Sequence, residues 1–238
     1  MKARELAVEG AFVFSPEVFP DDRGLFVSPF QDGGFTAALG HPLFPVRQTN
    51  HSRSRRGVLR GIHYTVTPPG TAKYVYCARG RSLDIVVDVR VGSPTYGRWD
   101  SVVLDPVEFR AVYFPVGVGH AFLALEDDTV MSYMLSGAYV PRHELALSAL
   151  DPALDLPLPE GLEPLLSARD GAAPTLDEAR RAGTLPEYAA CLAVEQALWP
   201  EPGAGHHEPG PDPERDTHRD TRDPHSYPHR DTHRGLDR

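Results

Sequence analysis

The chain is expected to be mainly β, a sandwich or barrel with a small helical C-terminal cap and a disordered tail. Three observations carry that expectation. From Ala7 to about Leu147, short β-branched and aromatic runs alternate with clusters of Gly, Pro, Asp and Ser, the pattern of many short strands joined by tight turns. TLDEARRAGTLPEYAACLAVEQALW, which begins at Thr175, has helical spacing instead. From Glu201 on, EPGAGHHEPGPDPERDTHRDTRDPHSYPHRDTHRGLDR has one leucine and one tyrosine as its only large apolar residues, too little apolar area to offset the entropy of ordering it.

Taken in order, ELAVEGAFVFSP (Glu5 to Pro16) reads as an edge or exchanged strand, and GGFTAALG (Gly33 to Gly40) as one short helix. VLRGIHY (Val58 to Tyr64) and AKYVYC (Ala72 to Cys77) read as strands around a turn holding Pro68, Pro69 and Gly70. LDIVVDVRV (Leu83 to Val91) alternates, and RWDSVVL, FRAVYFPVG, HAFLALED and TVMSYMLSGAY follow at short intervals. In the cap, Thr175 is an N-cap with an acid, Glu178, three residues on, and Gly183 with Pro186 divides the segment. The expected organisation is one domain over residues 1–200 and a low-complexity tail over 201–238, whose irregularly spaced histidines carry no more than adventitious metal affinity.

The chain has 238 residues, is 41% hydrophobic and 24% charged, and has a formal net charge of -9. That balance disfavours nonspecific binding to nucleic acid or acidic membranes, both of which need a basic surface. No apolar run approaches the ~20 residues of a membrane span. MKARELAVEG has no apolar core, so it does not read as a secretory signal. The two cysteines, Cys77 and Cys191, are too few for a disulfide framework and read as thiols of a cytoplasmic protein.

Three polar groups interrupt strand-like sequence: Arg60, His63 and Lys73. Burying them costs free energy unless something compensates. Under strict alternation Lys73 shares a face with Val75 and Cys77, and Tyr133 shares one with Met131 and Leu135. Arg60 and His63 have opposite parity, so both face one cavity only if the strand is irregular between them, and Gly61 is the natural place for a bulge. Read alone, each residue has a plainer explanation. His63 is a hydrogen-bonded core histidine, Tyr133 a core tyrosine, Lys73 a snorkelling edge lysine, Arg23 a solvated turn residue and Glu144 a surface acid.

Pro115-x-Gly117-x-x-His120, in PVGVGHAF, resembles the second half-motif of cupins. Metal cupins carry a histidine pair and a glutamate in the first half-motif; here His63 is followed by Tyr64 and Thr65. The ordered set DDRGLF, QTNHS, VLRGIHY, Lys73, VDVRVGSPTYGRW, PVGVGHAFLALED, YMLSGAY, Glu144, DPAL and LLSARD resembles the dTDP-4-dehydrorhamnose 3,5-epimerase family, a metal-free cupin branch. The likeness extends, in YVYCARG and VMSYMLS, to epimerases of antibiotic deoxysugar pathways.

The resemblance implies a double-sheet jelly roll, a dTDP-linked 4-keto-6-deoxysugar substrate, no cofactor or metal, and a homodimer with exchange of N-terminal strands. It gives His63 the role of base with Asp170 as its partner, Tyr133 that of acid, and Lys73 that of enolate stabiliser. His120 would hydrogen-bond the sugar or its keto oxygen, and Arg23 and Arg60 would hold the pyrophosphate. Gln48 and Asn50 would bind nucleotide or sugar, Phe26 and Tyr139 would offer apolar faces, and Glu144 matches a binding position. Departures from the family pattern are Ser28 for a usual glutamate, Ala149 and Leu150 where a tryptophan precedes Asp151, and Arg169 for a lysine. The family's reaction is inversion at C5 and/or C3 by base abstraction next to the 4-keto group and reprotonation from the opposite face; the departures imply an altered sugar pocket and a modified substrate, epimerised mainly at C5. Two other readings stand beside this one. The first is a metal-dependent cupin enzyme, which needs three or four converging ligands. The second is a noncatalytic sugar-nucleotide-binding jelly roll.

Overall fold

The computed structural model describes residues 1–199; the tail expected from residue 201 lies outside them. Along the described residues the strands are β1 (Lys2–Glu5), β2 (Phe12–Ser15), β3 (Val18–Asp21), β4 (Gly24–Val27), β5 (Gln48–Ser54), β6 (Leu59–Thr65), β7 (Lys73–Arg79), β8 (Ser82–Val87), β9 (Trp99–Leu104), β10 (Ala111–Phe114), β11 (Gly119–Ala124), β12 (Thr129–Leu135) and β13 (Glu144–Ala146). The helices are α1 (Asp32–Leu39), α2 (Ala168–Gly171), α3 (Leu176–Arg181) and α4 (Tyr188–Gln196). None of them is long and apolar enough to cross a membrane.

A six-stranded antiparallel sheet has the order β1-β2-β10-β7-β12-β5, and a five-stranded one the order β13-β6-β11-β8-β9. From β6 onward the chain passes back and forth between them: β7, β10 and β12 lie in the first sheet, and β6, β8, β9, β11 and β13 in the second. That alternation makes a jelly roll. β3 and β4 form a separate hairpin.

Side-chain alternation sorts the apolar residues into three layers. Between the sheets, Val75, Cys77, Val112, Phe114 and Met131 meet Val86, Val102, Leu104 and Phe122. On the outer face of the five-stranded sheet, Ile62, Tyr64, Ile85 and Leu123 are covered by Leu147, Leu154, Ala179 and Leu185 of the C-terminal region. On the outer face of the six-stranded sheet, Phe14, Tyr74 and Tyr113 are covered by Phe35 of α1 and Cys191 of α4. Each fully buried large side chain contributes roughly 1.5–3 kcal/mol. Both faces being covered explains why all six residues of β11 are buried, although His120 and Phe122 point inward and Ala121 and Leu123 outward.

The irregularity expected at Gly61 is present. His63 pairs with His120 while Arg60 pairs with Phe122, so β6 carries one extra residue in that interval. Gly61 has φ 104, and a Cβ there would collide with the His120 carbonyl oxygen and come within 2.9 Å of Ala121 Cα. The bulge turns both Arg60 and His63 toward one cavity.

The cap is tied to the same strand. Leu59 N–H donates to Leu165 O (3.1 Å) and Leu165 N–H to Gly57 O (2.8 Å), so the chain runs beside β6 just before α2. Ser167 caps α2 by accepting from the Asp170 amide, and Thr175 and Glu178 form the expected capping box on α3. Asp170 thereby arrives next to His63.

Candidate active site

The core between the sheets opens at one end into a cavity of about 150 Å³. A second hollow of about 540 Å³, bounded by Arg55, Arg169 and Asp170, adjoins it through the shared residues Arg60, His63, Tyr139 and Glu144. Polar side chains reach the cavity from both walls. His63 and Arg60 come from β6 and His120 from β11, in the five-stranded sheet; Lys73 comes from β7, Tyr133 from β12 and Asn50 from β5, in the six-stranded sheet. Pairing puts Tyr133 opposite both Val75 and Asn50, and Lys73 opposite Leu135.

His63 and Asp170 form the expected pair: Nε2 lies 2.7 Å from Asp170 Oδ1. The ionised carboxylate can only accept, so Nε2 carries the proton and Nδ1 is left as the basic nitrogen. Burial alone would raise the Asp170 carboxyl. The hydrogen bond and charge of His63, with the Ser167 hydroxyl and the Gly61 amide, hold it below the usual carboxylate range instead.

Lys73 is 9% exposed. Burial lowers its pKa, and the carboxylates of Glu144 and Asp84 act against that. Tyr133 lies on the opposite wall from His63, and burial raises its phenol above the usual range, against the pull of a hydrogen bond with Ser52 at 3.4 Å. Tyr133 is therefore a protonated phenol at any neutral pH.

Other expected residues are near the cavity in supporting positions. Gln48 donates to Asn50 Oδ1 (2.7 Å) and accepts from the Tyr139 amide (2.9 Å), so it positions two cavity residues. Glu144 accepts from the Thr65 hydroxyl at 3.0 Å. Arg60 donates through Nε to Ser54 Oγ (3.2 Å).

Within the single chain, Arg23 and Phe26 are not brought to the cavity. They lie in the β3–β4 hairpin, where Arg23 pairs with Asp21 at 2.5 Å and its side chain is 90% exposed. Phe26 is 67% exposed. Residues the sequence reading missed are Asp84, which accepts from His120 Nε2 at 2.7 Å, and Ser52 beside Tyr133. The signal for Asp84 is present in LDIVVDV, where two acids, Asp84 and Asp88, share one face of an otherwise apolar run.

Among the described residues no three His, Cys, Asp or Glu side chains converge as a metal site. His63 and His120 each direct Nε2 at a carboxylate.

Comparison with known proteins follows the same lines. The family model for dTDP-4-dehydrorhamnose 3,5-epimerase matches residues 5–178. The dTDP-4-dehydrorhamnose 3,5-epimerase of Mycolicibacterium smegmatis is 48% identical over 198 residues, covering 83% of this chain and 97% of its own. NovW, a 4-keto-6-deoxy sugar epimerase from the novobiocin biosynthetic gene cluster of Streptomyces spheroides, superposes with a TM-score of 0.77 at 49% identity, covering 80% of this chain and 95% of that one. ChmJ, a 3'-monoepimerase from Streptomyces bikiniensis solved with dTDP-quinovose, gives 0.78 at 48% identity, covering 82% and 98%.

Proposed function

The chain belongs to the dTDP-4-dehydrorhamnose 3,5-epimerase family, and on that premise we propose that it inverts a dTDP-4-keto-6-deoxyhexose with His63 as base and Tyr133 as acid. The observation that carries this reading is the placement of the two groups on different sheets across one cavity. Inversion requires removal of a proton from one face of a carbon and its return to the other.

The 4-keto group acidifies the C–H bonds at C3 and C5. His63 Nδ1 takes the proton; Asp170, bound to Nε2, stabilises the imidazolium that results. The electron pair moves onto the C4 oxygen, where Lys73 supplies a hydrogen-bond donor and positive charge, while His120 Nδ1 accepts from a sugar hydroxyl. Tyr133 gives its phenolic proton to the opposite face of the carbon, and the enolate returns to ketone. The cycle ends with a proton on His63 and a phenolate at Tyr133, which reset by exchange with solvent. No redox change occurs.

Inversion at C3 is common to the names of the M. smegmatis and S. bikiniensis relatives. We therefore assign C3 as the first centre, in place of the C5-weighted expectation. Unaltered protein incubated in D2O with a dTDP-4-keto-6-deoxyhexose should take up deuterium at C3 at least as fast as at C5. Uptake at C5 alone would reverse the assignment, and uptake at neither carbon would end the epimerase reading.

We further infer a homodimer in which N-terminal strands are exchanged and the β3–β4 hairpin delivers Arg23 and Phe26 to the partner's pyrophosphate and nucleoside sites. Support comes from the exposure of Phe19 (49%), Leu25 (49%) and Phe26 (67%) on that hairpin, and from the outer edges of β1 and β5, which pair with no strand among the described residues. Light scattering on the eluting protein should give twice the chain mass; a monomer with full activity would contradict it. Two buried free thiols, Cys77 and Cys191, support placing the protein in the cytoplasm. Cell fractionation checks this, and recovery with secreted protein would contradict it.

A further inference from the structure

His120 and Asp84 form a second histidine–carboxylate pair, one strand inward from the first. β11 lies between β6 and β8, so His120 stands beside His63 on one side and above Asp84 on the other. Both residues of this pair are buried: the His120 side chain is 6% exposed and that of Asp84 0%. Asp84 Oδ2 lies 2.7 Å from His120 Nε2, while Asp84 Oδ1 has no hydrogen-bond partner among the described residues. An ionised buried carboxylate with one open oxygen is costly. The cavity-side cation Lys73 is the compensating charge within electrostatic reach.

We propose that Asp84 is a positioning residue for the epimerisation: it holds His120 with Nε2–H inward and Nδ1 toward the sugar. Three facts support it. A carboxylate only accepts, so the 2.7 Å contact fixes which nitrogen of His120 carries the proton. The ring is held from the side by Phe114, with centroids 4.3 Å apart, and edge-on by Tyr133 at 6.0 Å, so it has one orientation to offer. And on the inward face of β8 Asp84 stands between Val86, in the core, and Ser82, whose hydroxyl contacts Met131 Sδ, so the one ionisable side chain on that face of the strand is the one bonded to His120. The charged and titratable groups facing the pair are Lys73 from β7, Tyr133 from β12, His63 and Arg60 from β6 and Glu144 from β13.

The proposal rests on the epimerase reading, which deuterium uptake by the unaltered protein tests separately. The variant is Asp84→Asn, isosteric but able to donate as well as accept, so it releases the tautomer while keeping the shape. The expected result is a fall in kcat of about 10²-fold or more, with KM and the affinity for dTDP changed by no more than about threefold. In the His120→Asn background the same substitution should cost almost nothing further, because the two act as one unit. Nitrogen-15 spectra of the unaltered protein should show His120 protonated at Nε2, and those of Asp84→Asn a mixture of tautomers. Equal losses in both backgrounds, or an unchanged kcat, would overturn the proposal. Should Asp84→Asn not fold, the spectrum of the unaltered protein decides alone, and a neutral His120 protonated at Nδ1 overturns it.

Discussion

Asp88 accepts from Arg90 through Nε (2.9 Å), NH2 (2.9 Å) and the backbone N–H (3.1 Å), and from the hydroxyls of Ser93 (2.6 Å) and Thr95 (2.5 Å). Four residues earlier on the same strand run, and on the same inward face, Asp84 has one histidine contact and an oxygen with no partner among the described residues. Asp84 lies within β8 and Asp88 directly follows its last residue. Around Asp88 the network is closed. Burial would raise its carboxyl, but Arg90, Ser93 and Thr95 together hold it below the usual range. Arg90 also donates to Glu9 O (2.8 Å) and lies 5.0 Å from the Tyr188 ring, so this network ties the N-terminal loop and α4 to the sheet. Around Asp84, the neighbouring Lys73 and His120 line a cavity and keep hydrogen-bonding capacity for something that enters it. A saturated buried network maintains architecture; an unsaturated one at a cavity is poised for a ligand.

Breaking the comparison at the cavity should cost activity and little stability. The largest effect is expected for His63→Ala: a loss of about 10³–10⁴ in kcat/KM, with dTDP binding retained, measured by product formation and by titration. A variant with activity within tenfold of the parent would remove His63 from the base role. Breaking it at the closed network should do the reverse. Arg90→Met leaves Asp88 buried without its cation, and the expected cost is about 3–5 kcal/mol in chemical denaturation. Specific activity of the folded fraction at low temperature should stay within a few-fold. Unchanged stability would show that Asp88 does not depend on Arg90.

Lys73→Met sharpens the contrast, because it should lower kcat by about 10²–10³-fold while its mark on stability is a changed pH dependence. The sign follows from the lowered pKa of Lys73. Between the folded value and the unfolded value of about 10.4, the unfolded chain binds the proton that the native one does not, so stability rises with pH there. Lys73→Met should flatten that rise; an unaltered rise would contradict the assignment. The smallest effect concerns Asp170. Its depressed folded pKa adds stability that is full above the unfolded value of about 3.9 and is lost as pH falls through the folded one. Asp170→Asn should flatten the acid limb of a pH-dependent melting series, and an unaltered limb would contradict the pairing.

Much of this was legible in the chain, for physical reasons that differ by residue. Inward positions of Lys73 and Tyr133 follow from alternation, which depends only on the pleat. The bulge at Gly61 followed from a conflict of parity between Arg60 and His63, since one extra residue is what reconciles them. Asp170 was not legible from pattern: it meets His63 across 107 residues, and periodicity carries no information about such closure, so family resemblance alone pointed to it. Alternation in LDIVVDV predicts the strand but does not distinguish the roles of its two acids, Asp84 and Asp88. Arg23 and Phe26 stand on a hairpin whose strands, among the described residues, pair only with each other, and that arrangement does not bring them to the cavity.

The central claim is that proton removal and proton return are carried out from opposite walls. Tyr133→Phe in D2O, followed by carbon position on a dTDP-4-keto-6-deoxyhexose, tests it most directly. The account predicts that deuterium still enters the carbon next to the keto group, delivered by His63 with retention, while inversion falls by about 10²-fold or more. Inversion at the parent rate would contradict the account, and so would loss of exchange together with inversion.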